Sequence, residues 1–185
     1  MTDVPLEGVT LVTGPSDSGK TRLTAAALDR WVDRHGPAGV VVLDFAPELE
    51  RDGRVLGGRI SRFTSVPDGA WHGVIDAHAP RAEGGPEGAL DLARDNAARA
   101  RTLLDAAPDP RAAFVNDATI PFQADGDPSP LRAACAGAEA VVCNALDGDE
   151  WVDDPVSRNE RRALDALRGW ADRTVRLTRD ETTDI

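Results

Sequence analysis

The sequence predicts an α/β protein, a three-layer sandwich in which helices cover a mainly parallel five-stranded sheet. Short aliphatic and β-branched runs alternate along the chain with segments of helical periodicity, and this alternation is typical of parallel sheets. The run Val40-Val41-Val42-Leu43 is apolar throughout, as expected of a strand that is covered on both faces. Because the chain has 185 residues and no internal repeat, we expect one domain over 1–185.

The first three predicted elements are a strand, a helix and a second strand. The β-branched run Val9–Thr13 ends at a glycine and forms the first strand. A helix is predicted over 21–34, because apolar residues recur there at three- and four-residue spacing and Gly36-Pro37 follows its end. The apolar run 40–43 forms the second strand and ends in Asp44.

The next segment, residues 46–84, is harder to assign. Glycines and prolines break it into turns, and short strands are expected only near Val55-Leu56, Ile60 and Val74-Ile75. We therefore predict an irregular insertion. Segments of this length inside compact domains often carry function.

The second half of the chain returns to regular alternation. A helix is predicted first, because apolar residues recur at three- and four-residue spacing from Leu90 to Leu104 and Pro108 stops the pattern. The predicted elements are, in order, a helix over 87–107, a strand over 112–115 ending in Asn116-Asp117, a loop over 121–130, a short helix over 131–136, a strand over 140–143 ending in Asn144, an amphipathic helix over 158–171, a last strand over 174–177 and a polar tail from 179.

One glycine-rich string lies between the first strand and the first helix. It is Gly14-Pro15-Ser16-Asp17-Ser18-Gly19-Lys20-Thr21, which fits the pattern G-x-x-x-x-G-K-[ST]. Lys20 is the only lysine in the chain, and all the other basic residues counted with it are arginines. A compact ammonium fits between two phosphates where a planar guanidinium is too bulky. The retained lysine therefore favours a working phosphate site.

This string, with a strand before it and a helix after it, resembles the phosphate-binding loop of the P-loop NTPase superfamily. The resemblance implies Mg²⁺-dependent binding of a nucleoside triphosphate, ATP by preference and GTP as the alternative. It implies that residues 14–21 and the following Arg22 surround the phosphates, and that Lys20 reaches the β- and γ-phosphates. The hydroxyl of Thr21 would then bind Mg²⁺.

Superfamily members also carry an aspartate at the end of a later strand, where it holds Mg²⁺. Asp117 fits this position best, and Asp44 and Asp76 are the alternatives. Asp117 is followed by Ala118, whereas the RecA and AAA+ branches have a glutamate there. No string similar to the LSGGQ of ABC transporter subunits occurs either, so none of these branches is favoured.

Two further segments contain candidate site residues. Asn144-Ala145-Leu146-Asp147 resembles the N-K-x-D guanine motif of GTPases, with alanine in place of lysine, which implies base contacts by Asn144 and Asp147; plain turn residues are the alternative. Arg81 lies in a loop rich in ionisable residues, glycine and proline. It is a candidate to neutralise phosphate charge in the transition state, and a solvated surface arginine is the alternative.

The composition restricts partners and location. A net charge of −11 disfavours binding to nucleic acid and to anionic membranes. The apolar runs are too short to span a bilayer, and the acidic opening Met1-Thr2-Asp3 lacks the features of a signal peptide, which predicts a cytoplasmic protein. The acidic excess and the arginine-for-lysine usage resemble proteins of salt-loving microbes, with GC-biased codon usage as the alternative. Cys135 and Cys143 are expected to be buried free thiols.

Three functions remain open from the sequence. The first is an NTPase whose turnover drives a conformational change in a protein partner. The second is a small-molecule kinase whose acceptor is bound by residues 46–84. The third is a non-catalytic switch, in which nucleotide binding orders the irregular loops.

Overall fold

The computed structural model describes residues 4–51, 54–56 and 58–179. The acidic opening at 1–3 and the tail at 180–185 lie outside the described residues. Eight strands form within the described ranges: β1 Gly8–Gly14, β2 Val40–Asp44, β3 Leu49–Arg51, β4 Arg54–Leu56, β5 Trp71–Val74, β6 Ala112–Asn116, β7 Ala140–Leu146 and β8 Arg173–Arg176.

Six of these strands form one sheet in the order β5-β2-β6-β7-β1-β8, and every neighbouring pair is parallel. β3 and β4 form a separate antiparallel pair. Because all six strands run the same way, their carboxyl ends meet at one edge of the sheet. In parallel α/β sheets, ligands bind at this edge.

Helices cover both faces of the sheet. The described residues contain five α-helices: α1 Lys20–His35, α2 Pro80–Glu83, α3 Gly85–Ala106, α4 Ser129–Ala134 and α5 Pro155–Trp170. α1 packs on one face through a cluster that includes Leu28, Trp31 and Phe114. The other face carries a second cluster, to which α3 contributes Leu104 and α5 contributes Leu164. These two apolar layers confirm the predicted three-layer α/β sandwich.

The sheet has six strands, so the prediction of five is wrong. The additional strand is β5, which pairs with β2 and lies inside the segment predicted to be irregular. β5 is an edge strand in which only Gly73 is buried, while His72 and Val74 are exposed. Such a strand lacks the continuous apolar run by which the central strands are recognised.

A smaller difference from the prediction concerns Ile60, which lies in a 3₁₀ turn over Ile60–Arg62 and not in a strand. The two cysteines are free and buried as expected, and burial raises the pKa of the Cys135 thiol to about 12. Across the described ranges, no helix combines the length and apolarity needed to cross a membrane.

Candidate functional site

The loop over 14–21 connects β1 to α1 at the carboxyl edge of the sheet. Gly19 has φ 88°, a left-handed conformation that glycine adopts without strain, and it directly precedes the helix. A Cβ atom at Gly14 would lie 2.6 Å from the carbonyl oxygen of Leu177, so only glycine fits there. Asp17 is also left-handed, at φ 61°. Gly14 and Gly19 therefore stand where the backbone of the loop requires glycine or favours it.

The amino end of α1 opens toward a cleft. The first amide groups of any α-helix lack partners within the helix, and in α1 these belong to Lys20, Thr21 and Arg22. Among the described residues, no side chain caps this end of the helix. Because the helix dipole adds partial positive charge here, the loop is suited to an anion.

Lys20 is buried beside this loop, with 8% of its surface exposed. Its Nζ atom donates a hydrogen bond to the carbonyl oxygen of Pro15 at 2.6 Å. Burial lowers the pKa of Lys20, while the nearby carboxylate of Asp117 opposes that shift. The single lysine of the chain is thus placed inside the cleft, where a charge acts more strongly than it does in water.

The cleft has a volume of about 470 Å³. The loop and the start of α1 form one wall, and Gly58, Arg62 and Phe63 contribute a second. The part of the cleft beyond the loop is lined by Arg81, Asp117, Gln123 and Glu160, among others. The structure therefore brings together Lys20, Thr21, Asp117 and Arg81, which are predicted as site residues from distant parts of the sequence.

Asp117 directly follows β6 and adopts a left-handed backbone conformation, with φ 54°. Its backbone N–H donates to Oδ1 of Asn144 at 3.0 Å. Burial raises the pKa of the Asp117 carboxyl to about 6; the charge of Lys20 opposes this shift and that of Glu160 adds to it. A carboxyl with this pKa is largely ionised at neutral pH and can hold a cation.

A row of buried polar side chains, Thr24, Asn144 and Asn116, crosses from α1 to β6 behind the cleft. Nδ2 of Asn144 donates to Oγ1 of Thr24 and to Oδ1 of Asn116, both at 2.9 Å. Thr24 in turn donates to the carbonyl oxygen of Lys20 at 3.1 Å. We call these three residues the polar row; it links the backbone of Lys20 to that of Asp117.

Asp44 lies at the far end of the polar row. Its Oδ1 accepts from Nδ2 of Asn116 at 2.9 Å, and its Oδ2 accepts from the backbone N–H of Ile60 at 2.8 Å. Asp44 is fully buried and does not line the cleft. Burial raises the pKa of its carboxyl. These contacts favour a structural role for Asp44, fastening the insertion to β2, over the predicted role in metal binding.

The structure does not bring Asn144 and Asp147 to the cleft. The side chain of Asn144 is fully buried and committed to the polar row. Asp147 pairs with Arg168 at 2.7 Å and lies 3.9 Å from Arg176. Contact of either side chain with a nucleotide base would require these partners to be exchanged. Asp76, the remaining candidate for the Mg²⁺-holding position, is 93% exposed and also lies outside the cleft.

Arg81 is partly buried and forms an ion pair across the cleft, so it is not a solvated surface arginine. Its Nη1 donates to the carboxylate of Glu160 on α5, which is 1% exposed. That carboxylate also accepts from Oγ1 of Thr119 at 3.0 Å and from Nε2 of Gln123 at 2.9 Å. The contact fastens α2 to α5.

Glu160 and Gln123 are site residues that sequence reasoning misses. The arginines of the helix over 158–171 are typical of a solvated face, and its glutamate does not stand out among them. Yet Glu160 precedes Ala163, Leu164 and Leu167 by three, four and seven residues, which places it on the buried face of that helix. A glutamate in register with an apolar stripe is the signal that could identify it.

Glu150 also contacts the loop. Its Oε1 accepts from the backbone N–H of Ser16 at 2.8 Å and from the guanidinium of Arg179. Nε of Arg179 donates to the carbonyl oxygen of Ser16 at 3.0 Å. The end of the described chain is therefore fastened to the loop over 14–21.

The residues of the cleft fit a metal ion whose coordination shell is completed by the phosphates of a bound nucleotide and by water. The described residues contain no cluster of three or more histidine, cysteine or acidic side chains placed to bind a metal. Magnesium in nucleotide sites needs only one or two protein ligands, because phosphates and water complete its shell. The hydroxyl of Thr21 and the carboxylate of Asp117 supply this chemistry at the cleft.

Comparison with protein-family models gives no match for the chain, and comparison with curated proteins gives none either. Its function must therefore be inferred from the cleft itself.

Proposed function

We propose that the protein binds a nucleoside triphosphate together with Mg²⁺, ATP by preference, and hydrolyses or transfers the γ-phosphoryl group. The observation that carries the proposal is the convergence of three features in one cleft. These are the uncapped amino end of α1, the buried ammonium of Lys20 and the carboxylate of Asp117. Together they match the charge pattern of a triphosphate with its metal.

Each residue has a definite part in this proposal. The amides at the start of α1 bind phosphate oxygens, and Lys20 exchanges its bond to Pro15 for the β- and γ-phosphates. Thr21 and Asp117 hold Mg²⁺, which neutralises phosphate charge when bound. The polar row fixes the backbone of Asp117, so that its carboxylate stays aimed into the cleft. Catalysis would come mainly from positioning and charge neutralisation.

Transfer to a small acceptor is the second candidate function, and one observation favours it. The cleft is lined not only by the loop but also by Arg81, Gln123 and Glu160, which offer a second polar region to an acceptor. The insertion is expected to bind the acceptor. Part of it lines the cleft, including Arg62 and Phe63, while β5 belongs to the sheet.

A thermal-shift titration with ATP, GTP and ADP, with and without Mg²⁺, in low and molar KCl, tests the central claim. A ligand at about 100 times its dissociation constant should stabilise the fold by roughly 2.7 kcal/mol. We expect this shift with one nucleotide and its loss in Lys20→Ala. Arg94→Ala is the control, since Arg94 is exposed and its one ion pair among the described residues is with Asp91 in its own helix. No shift with any nucleotide in either salt would contradict the proposal.

A further inference from the structure

Gln123 is a buried polar residue with one atom that has no partner. It follows the 3₁₀ turn Ile120–Phe122, is 1% exposed and lines the cleft. Its Nε2 donates to Glu160, but within the described part of the chain its Oε1 accepts no hydrogen bond. An unpaired buried carbonyl costs free energy, so such atoms in folded proteins call for an explanation.

The neighbouring carboxylate fixes which end of the Gln123 amide is unpaired. Glu160 can only accept hydrogen bonds when ionised, so the NH₂ group of Gln123 must face it. Turning the amide over would set its carbonyl oxygen against the carboxylate. Glu160 is already supplied by three donors, from Gln123, Thr119 and Arg81. The unpaired group is therefore a carbonyl oxygen, and because it is buried, a ligand contacts it only after neighbouring side chains shift.

The chemistry around this oxygen restricts what it binds. A neutral carbonyl acceptor requires a donor, such as a hydroxyl group. Anions gain little here, because the charge of Arg81 is already matched by Glu160. Cations gain little either, because the charge of Glu160 is already matched by Arg81. Ile120 and Pro80, which also line the cleft, offer apolar surface to a carbon skeleton.

We propose that Oε1 of Gln123 is the hydrogen-bond acceptor of a second subsite, which binds a hydroxyl group of a small neutral polyol or sugar. The inference rests on the proposed nucleotide function, because the bound compound is the acceptor of the γ-phosphoryl group. In the transfer, a hydroxyl oxygen of the acceptor bonds to the γ-phosphorus while the bond from that phosphorus to the β–γ bridging oxygen breaks. ADP leaves with that electron pair, and the hydroxyl proton passes to water.

The first measurement is ADP formation by the wild-type protein at saturating Mg·ATP, with glycerol, ribose, glucose or myo-inositol added. Ethanolamine and lactate serve as cationic and anionic comparison compounds. We expect at least one neutral compound to increase ADP formation and to be phosphorylated, and the charged compounds to have less effect. If no neutral compound does so although ATP stabilises the protein, the subsite is overturned and nucleotide binding stands. If ATP itself does not bind, the proposed function has failed.

Two variants separate the contribution of Oε1 of Gln123 from that of the hydrogen bonds to Glu160. Gln123→Met removes Oε1 together with one bond to Glu160, whereas Thr119→Val removes only a bond to Glu160. We expect Gln123→Met to raise the KM for the stimulating compound about tenfold, the ratio that corresponds to one lost hydrogen bond. Thr119→Val should leave that KM within about twofold, and the KM for ATP should be unchanged in both. Equal effects of the two variants on the acceptor KM would overturn the assignment to Gln123.

A second measurement does not depend on the folding of a variant. Deoxy analogues of the stimulating compound, assayed on the wild type, should identify one hydroxyl whose loss raises KM about tenfold. Equal KM values for all analogues would contradict a hydroxyl-specific subsite.

Discussion

Asp117 has two features that lower the stability of the folded protein. Its left-handed backbone is uncommon for a residue with a side chain, and its carboxyl is held in surroundings that disfavour the charge. Neither feature improves the stability of the fold. Both are expected where a carboxylate must be aimed at a bound cation, which is consistent with the proposed role.

The raised pKa of Asp117 predicts a pH-dependent stability. Because this pKa is about 6 in the folded protein, against 3.8 for an unperturbed aspartate, the folded state binds the proton more tightly than the unfolded state does. The contribution of Asp117 to the free energy of unfolding should therefore fall as the pH rises from about 4 to about 6. Asp117→Asn should be more stable than the wild type at neutral pH by roughly 1–3 kcal/mol, with no difference below about pH 4.

Urea unfolding of wild type and Asp117→Asn at several pH values measures this difference. The same variant should lose nucleotide turnover. Asp91→Asn is the control, since Asp91 is 76% exposed and should change neither profile. Parallel pH profiles for wild type and Asp117→Asn would show that the carboxyl is not perturbed by its surroundings.

At the scale of elements, the ion pair between Arg81 and Glu160 joins α2 to α5. Arg81→Met would leave the buried Glu160 carboxylate without its cation, so we expect a loss of roughly 2–4 kcal/mol in the free energy of unfolding. Glu160→Gln in the same chain should recover part of that loss. A double-mutant cycle in urea gives the coupling energy, expected to exceed about 1 kcal/mol. Additive effects of the two substitutions would mean that the pair does not hold the elements together.

The polar row joins α1, β7 and β6. Asn144→Ala would leave the amide of Asp117 and the Oδ1 of Asn116 without partners, so we expect a loss of roughly 2–4 kcal/mol in stability. Turnover should fall as well, because the backbone of Asp117 is no longer fixed. Unfolding and activity are compared with those of Thr102→Val, whose exposed hydroxyl donates to the carbonyl oxygen of Ala98 within α3. An active Asn144→Ala protein would exclude a positioning role for the row.

Elements could be predicted from the sequence where their signal is local. The central strands are continuous apolar runs because both of their faces are covered, and the loop over 14–21 carries its own spacing pattern. A short strand near Val74-Ile75 is predicted and overlaps β5, but its place in the main sheet could not be predicted, since an edge strand with a glycine owes its conformation to pairing with β2. The insertion, which contains β5, is also held by Asp44, whose oxygens accept hydrogen bonds from Ile60 and Asn116.

Within the candidate site, Lys20, Thr21 and Asp117 could be predicted from motif and strand ends. Glu160 and Gln123 could not, because their importance arises from contacts between distant segments. Asn144 shows the opposite difficulty. Its place at the end of a strand suggests a ligand contact, but the structure uses the side chain to connect neighbouring elements.

At the scale of the whole molecule, the net charge of −11 sets the response to salt. Repulsion among carboxylates is screened when the Debye length falls from about 10 Å at 0.1 M salt to about 3 Å at 1 M. We expect the melting temperature to rise over that range of KCl. Sucrose at equal osmolality is the control for non-electrostatic effects and should give a smaller rise. A melting temperature that falls with KCl would indicate that the surface ion pairs outweigh the net repulsion.

The burial of Lys20 has a further consequence for chemical modification. The chain contains a single ε-amino group, and it lies in the cleft with a lowered pKa. A lowered pKa increases the fraction of uncharged, nucleophilic amine. A small acylating reagent should therefore attach at one internal position, which peptide mass spectrometry can verify. If a triphosphate occupies the cleft, it should slow this acylation. The rate of acylation of Lys20 would then report whether the cleft is occupied.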